Sequence, residues 1–317
     1  MSDSRKPLTP FIISGAPRSG TSLIYNLFDG HPEISWLLNE GYLFEYLYDL
    51  GVDGTQLFLD AIPSDIKPLI AGLRDKQIMP PLHEPYRQMM PVRQGVGSTE
   101  ADGSIPEFTL ESRWSEDAFR NALAGWRGGT VAELWHWLVN ACLAGMGGES
   151  RRYACLKSPD YGKSASAAVT LIPEAKAIII VRDPLYALDS LKRSREMRGD
   201  KLLTWPLMAM CVRNFQRMHE IIKNTDTDRF TYVLYESLLK EPKSVMRKLS
   251  NWLNMDFDDC LLTPTMCGRF WPGISSFKPT DGIEDSPMIR SIQALTTVEQ
   301  DFILSRLEDF RADFGYA

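Results

Sequence analysis

The sequence predicts an α/β fold in which a mostly parallel sheet is covered by helices on both faces. Short apolar runs at residues 11–13, 153–157, 175–181 and 230–235 read as strands, and the first is apolar on both sides, as a strand buried in a parallel sheet must be. Segments of helical period separate these runs, which is the alternation that βαβ units produce. The chain has 317 residues, 44% of them hydrophobic and 24% charged, which suits one large α/β domain.

In chain order, residues 11–13 open the sheet. The turn Ser14-Gly15-Ala16-Pro17-Arg18-Ser19-Gly20 follows, and Thr21-Ser22 leads into a helix with Leu23, Ile24, Leu27 and Phe28 on one side. Gly30 suits the end of that helix, and Pro32 prevents its continuation. An aromatic-rich helix is expected over residues 40–50, then short helices over 53–73 broken at Pro63 and Pro68. Residues 75–113 carry Pro80, Pro81, Pro85, Pro91 and Pro106 and are expected to be irregular. A loop of that length in a compact domain is usually a lid or a binding loop. Helical period returns over 130–146. The strand at 153–157 is followed by Ser158-Pro159-Asp160-Tyr161 and a helix over 164–172. The strongest strand, 175–181, ends at Arg182-Asp183-Pro184, and Pro184 suits the first turn of a helix that carries Ser190. Helices are expected over 206–223, 238–253 and 297–314, with 256–295 irregular.

The strand, Gly-rich turn and helix start at residues 11–24 form an anion site, where backbone N–H groups and the helix dipole favour negative charge. Gly15 and Gly20 have the separation of the nucleotide loop G-x-x-x-x-G-K-[ST], yet Thr21 stands where that motif has lysine. A cation stands earlier, at Arg18, whose planar guanidinium suits a tetrahedral oxyanion. The loop therefore reads as a holder of a phosphate-like group other than a Mg-nucleoside triphosphate, or else as an ordinary Gly/Ser-rich turn. Ligands of such sheets sit beyond the carboxyl ends of the strands. The loop, Lys157 and Arg182 all fall there, so the ligand should carry more than one anionic group. Arg182 and Ser190, roughly two helical turns apart, can face one phosphate. The alternative is that Arg182-Asp183 is a local ion pair and Ser190 a solvated helix residue.

A net charge of −6 argues against an extended nucleic-acid surface. Residues 1–10 are polar, and no apolar run approaches the roughly 20 residues that span a membrane. The five cysteines (Cys142, Cys155, Cys211, Cys260 and Cys267) are scattered without a C-x-x-C pair, which argues for a reducing, cytoplasmic setting and against a zinc site. The four histidines, His31, His83, His136 and His219, are equally dispersed, and no metal is expected.

Pro17-Arg18-Ser19-Gly20-Thr21-Ser22 resembles the 5′-phosphosulfate loop of sulfotransferases that use 3′-phosphoadenosine 5′-phosphosulfate (PAPS). Arg182-Asp183-Pro184 with Ser190 resembles their 3′-phosphate motif. His31-Pro32-Glu33, Lys157-Ser158-Pro159 and Tyr235-Glu236-Ser237-Leu238 with Pro242 and Trp252-Leu253 fit in order and spacing over roughly residues 10–255. The bacterial and Golgi-type branch, which includes the tyrosylprotein sulfotransferases, is the most similar. The resemblance implies a P-loop-like three-layer fold and a single domain over 1–317, with an acceptor-side insertion at about 75–150 and a C-terminal loop and helix at about 256–317.

It implies, too, that Arg18 and the amides of Ser19, Gly20, Thr21 and Ser22 hold the 5′-phosphosulfate, with hydroxyl donors from Thr21 and Ser22. Lys157 would stabilise the leaving phosphate, Arg182 and Ser190 would bind the 3′-phosphate, and Tyr235 would approach the nucleotide. The acceptor needs a general base. In the tyrosylprotein branch a glutamate shortly after the His-Pro turn serves, and Glu40 follows His31-Pro32 at a spacing one residue different. His83 is the runner-up, His136 third, and the alternative for Glu40 is a carboxylate that only caps a helix. Aromatics between Trp36 and Trp137 are expected mostly as core, some lining an acceptor pocket. Phe270-Trp271-Pro272-Gly273 is expected to close over the site. The expected activity is in-line sulfuryl transfer from PAPS to a hydroxyl or amine of a small-molecule or carrier-bound acceptor, leaving 3′,5′-ADP. The acidic balance disfavours polyanionic glycans, and the sequence carries no signature of oligomeric state. A P-loop-type small-molecule kinase and a non-catalytic nucleotide-binding module are the alternatives.

Overall fold

The computed structural model describes residues 8–40, 115–125, 127, 130–148, 150–197, 203–225, 228–266, 269–270 and 291–316. Five strands, β1 (Thr9–Gly15), β2 (Ile34–Glu40), β3 (Tyr153–Ser158), β4 (Lys176–Val181) and β5 (Phe230–Leu234), form one sheet in the order β2-β3-β1-β4-β5. Every pairing in it is parallel. β1 is central, with Ile13 opposite Lys157 on one side and opposite Ile178 on the other.

The strand side chains alternate between two cores. Ile12, Ala177, Ile179 and Val181 face one layer, in which they pack with α2 (Glu116–Leu123), α3 (Val131–Met146), α4 (Lys163–Leu171), α5 (Pro184–Met197), α6 (Trp205–Asn224), α9 (Thr297–Arg306) and α10 (Glu308–Asp313). Phe11, Ile13, Ile178 and Ile180 face the other, against α1 (Thr21–Leu27), α7 (Tyr235–Lys240) and α8 (Pro242–Leu253). Ile178, Ile179 and Ile180 are all fully buried, which is why β4 reads as a continuous apolar run. Burying each such side chain contributes roughly 1.5–3 kcal/mol.

The helix starts follow from local chemistry. Thr130 and Glu133 form a capping box for α3, as Thr296 and Glu299 do for α9. Pro184 opens α5, and Asp183 Oδ1 accepts the Leu185 N–H at 3.0 Å. No helix among the described residues is long and apolar enough to cross a membrane.

Several sequence expectations change. Glu40 lies in a strand rather than a helix; it closes β2, whose partner among the described residues is β3, far along the chain. Residues 41–50 of that expected helix, the short helices at 53–73, the irregular 75–113, and Trp271-Pro272-Gly273 lie outside the described residues. The single helix expected at 238–253 is two, α7 and α8. Pro242 cannot continue a helix but suits the first turn of a new one, so the chain bends at Glu241. Tyr235, expected at the end of a strand, is the first residue of α7. The C-terminal helix breaks at Leu307 into α9 and α10. The irregular stretch after 256 contains a 3-10 turn at Asp259–Leu262 and a two-residue hairpin, β6 (Thr265–Met266) with β7 (Arg269–Phe270).

Candidate functional site

The site is assembled at the carboxyl edge of the sheet, where β1 lies between β3 and β4. After β1 the chain turns sharply, with the Ser19 N–H donating to the Ala16 carbonyl at 3.1 Å. Arg18 takes a left-handed conformation, φ 69°, which costs a non-glycine residue roughly 1–2 kcal/mol. Gly20 is left-handed too, at φ 94°, and a side chain there would run into the ring of Tyr235. The helix that follows, α1, is a single short one of 7 residues, so loop amides and side chains dominate over any macrodipole.

Arg18 is tied to the next two expected residues. Its Nε donates to Ser190 Oγ at 3.2 Å, and its carbonyl accepts from Arg182 Nη1 at 2.7 Å. The Arg182 guanidinium lies over the Tyr235 ring, 4.6 Å from its centroid. Ser190 is buried. Asp183 turns from its neighbour to Arg311, with Oδ2 3.4 Å from Nη2. These contacts rule out a local Arg182-Asp183 pair beside a solvated Ser190. The loop and the turn after β4 are one contiguous cluster.

On the other side, Lys157 leaves β3 with 6% exposure, and its Nζ donates to Ser22 Oγ at 3.1 Å. The turn that follows Lys157 is tied to β1 through Asp160. Ser14 Oγ donates to Asp160 Oδ1 at 2.5 Å and accepts the Gly162 N–H at 3.0 Å, while Oδ2 accepts from Ser158 Oγ at 3.0 Å, from the Ser164 N–H at 2.8 Å and from Ser164 Oγ. Burial pushes the Asp160 carboxyl above its ordinary value, against the lowering effect of those hydrogen bonds. The Tyr161 N–H donates to the Gly15 carbonyl at 2.9 Å and completes the splice of the β3 turn to the end of β1.

The donor set is three cations and several hydroxyls. The carboxylates of Asp160 and Asp183, which adjoin it in sequence, spend their oxygens on neighbouring groups of the fold. Ser19 Oγ is fully buried and has no hydrogen-bond partner among the described residues, an arrangement that suits a ligand oxygen. Of the expected bases, Glu40 stands opposite Lys157 in the β2–β3 register. His83 lies outside the described residues. His136 pairs with Glu174 at 3.0 Å, just ahead of β4 and so at the opposite edge of the sheet from Lys157.

Sequence reasoning missed the groups that hold these residues: Ser14 and Asp160 under Lys157, and Glu236, Arg311 and Tyr316 behind Arg182. Ser14 and Asp160 adjoin quoted motifs and were within reach. Arg311 and Tyr316 carry no local signal.

A family model described as "Sulfotransferase family" matches residues 10–259. A Drosophila melanogaster protein-tyrosine sulfotransferase is 29% identical over 120 residues, 36% of this chain and 23% of that protein, so the chain spans under a quarter of that relative in the match. Among solved structures, the sulfotransferase domain from the curacin biosynthetic pathway superposes with a TM-score of 0.54 at 19% identity, covering 96% of this chain and 99% of the domain. The sulfotransferase domain from the Synechococcus PCC 7002 olefin synthase gives 0.51 at 18% identity, covering 98% and 97%. At these identities the structural likeness is one of fold.

Proposed function

The chain belongs to the sulfotransferase family, and we propose that it transfers the sulfuryl group of PAPS to a hydroxyl or amine of a small-molecule or carrier-tethered acceptor. The observation that carries this reading is the convergence of Arg18, Lys157, Arg182 and Ser190 on one sheet edge, around a loop that has Thr21 in place of a lysine. The buried hydroxyl of Ser19, without a partner among the described residues, suits an anionic oxygen-rich ligand.

PAPS supplies an activated sulfuryl group whose in-line transfer leaves 3′,5′-ADP. In this reading Arg18 and the amides of Ser19 to Ser22 hold the 5′-phosphosulfate, with Thr21 and Ser22 adding hydroxyls. Lys157 stabilises the negative charge that develops on the leaving phosphate, where a buried cation is worth more than in water. Arg182 and Ser190 hold the 3′-phosphate, and Tyr235 flanks the nucleotide. Glu40, opposite Lys157 in register, takes the proton of the acceptor as general base; His83 is the other candidate. The rest of the pattern, a single domain over 1–317 with an acceptor-side insertion at about 75–150, belongs to the same reading. So does a cytoplasmic site of action, which the free thiols of Cys142, Cys155, Cys211 and Cys260 support.

Calorimetry, with a metal chelator present for 3′,5′-ADP and without one for ATP with Mg²⁺, tests the donor assignment. The expected result is that 3′,5′-ADP binds without a divalent cation and that ATP with Mg²⁺ does not compete. Binding of Mg-ATP in preference to 3′,5′-ADP would instead indicate a kinase. Binding of 3′,5′-ADP with no consumption of labelled PAPS across an acceptor panel would indicate a non-catalytic module.

A further inference from the structure

Two adjacent pairs of residues leave the sheet side by side. Arg182-Asp183 follows β4 and Tyr235-Glu236 follows β5, with Val181 opposite Leu234 in the register below them. The first members meet each other, guanidinium on ring. The second members meet the C-terminal segment. Glu236 Oε1 accepts the Asp183 N–H at 3.3 Å, and its Oε2 accepts the Tyr316 hydroxyl at 2.7 Å. Asp183 Oδ2 receives Arg311. The Tyr316 oxygen also lies 3.4 Å from the Val181 carbonyl, but a hydroxyl has one hydrogen and the shorter contact takes it. Burial, and then the charge of Glu236, push the Tyr316 phenol well above its ordinary value, so it remains a donor at neutral pH.

The same segment grips α5 at a second point. Asp189 Oδ1 accepts the N–H groups of Gln293, Ala294 and Leu295 at 2.9, 2.6 and 3.2 Å, and Lys192 pairs with Glu299 at 2.8 Å. Residues 291–316 therefore hold the Arg182-Asp183 turn from one end and the α5 turn around Ser190 from the other. Neither Tyr316 nor Arg311 is among the groups assigned to the ligand.

We propose that Tyr316 and Arg311 are positioning residues for 3′-phosphate recognition: through Glu236 and Asp183 they set where Arg182 stands relative to Ser190. This rests on the reading of Arg182 and Ser190 as the 3′-phosphate ligands. A positioning role predicts an effect concentrated on the 3′-phosphate, because Tyr316 and Arg311 bond to Glu236 and Asp183 beside Arg182, while the 5′ loop is also tied through Ser19 to Ala16 and through Ser22 to Lys157.

The test is calorimetry of the full chain with 3′,5′-ADP and with 5′-AMP, which lacks the 3′-phosphate, for the wild type, Tyr316→Phe and Arg311→Gln, with melting temperatures alongside. The expected result is that the wild type prefers 3′,5′-ADP, and that each variant lowers this preference about fivefold, the loss of one hydrogen bond, while 5′-AMP affinity stays within about twofold. Rescue belongs to the same test: Arg311→Lys should retain more of the preference than Arg311→Gln. An unchanged preference in both variants overturns the proposal. So does an equal loss for both ligands in step with a lowered melting temperature, which marks a merely structural clasp. A wild type with no preference for 3′,5′-ADP overturns the underlying 3′-phosphate reading itself, independently of either variant.

Discussion

On the β3 side of the central strand, Lys157 is held by strand register and by Ser22, and the turn after it is tied down by a buried carboxylate spliced between Ser14, Ser158 and Ser164. On the β4 side, Arg182 is held by contacts that are far away in sequence: the Tyr235 ring, the Arg18 carbonyl and, behind them, the C-terminal segment. The first arrangement fixes a charge to within the stiffness of a sheet. The second fixes, through several replaceable contacts, the group proposed to recognise the ligand. Chemistry needs the first kind of precision, since stabilisation counts only where charge develops. Recognition tolerates the second. The expectation is that substitutions on the β3 side depress kcat and those on the β4 side depress nucleotide affinity.

Each prediction probes that division. Glu40→Gln should remove the largest share of activity, about 10²–10⁴-fold in kcat, with 3′,5′-ADP affinity preserved. Ordinary turnover in that variant would transfer the base role elsewhere, and His83→Ala is then the substitution to assay. Lys157→Ala should lower kcat by about 10²–10³-fold with a smaller effect on nucleotide affinity. A loss seen wholly as weaker 3′,5′-ADP binding would erase the contrast between the two sides. Arg182→Ala should do the reverse. Removal of one charged partner is expected to weaken 3′,5′-ADP by roughly 10–100-fold, with kcat at saturating PAPS much less affected. Steady-state kinetics over a range of PAPS concentrations separates the two cases.

The smallest effect concerns Asp160 and stability. Its carboxyl is raised in the folded state from an ordinary value of 3.8, mainly by burial. The folded protein then holds that proton more tightly than the unfolded chain does. Its contribution to stability is fully present below the unfolded value and is lost as pH rises through the folded one. Denaturant midpoints measured from pH 4 upwards should fall for the wild type relative to Asp160→Asn, with a slope of at most about 1.4 kcal/mol per pH unit. Parallel curves for the two proteins would assign the titration to another group.

The sequence made the β3 side and the loop easier to read than what lies behind them. The strands β1, β3 and β4 are apolar runs bounded by turn residues, and a cation at the end of a parallel strand is a local signal. β2 was not legible because Ile34–Glu40 mixes Ser, Asn and Glu with its apolar residues and so forms neither a continuous apolar run nor a clean alternation. The breaks at Glu241 and Leu307 differ in the same way: Pro242 announces the first, and nothing nearby announces the second. Arg18 and Ser190 are separated by 172 positions and meet at 3.2 Å, a contact that no reading of the sequence anticipated. Tyr316 lies 80 positions from Glu236, outside every motif. Local chemistry reveals what a residue does at its own position; what keeps it there is set by packing between distant segments.

Tyr235 touches the loop and the turn after β4 at once: one edge of its ring lies where Gly20 would carry a side chain, and the Arg182 guanidinium lies on its face. For anyone redesigning the proposed donor site, the loop and the turn after β4 therefore cannot be exchanged as separate cassettes. Changes at Gly20, Tyr235 and Arg182 should combine non-additively in double-mutant cycles, and a library that varies the three together samples solutions that one-at-a-time scanning misses.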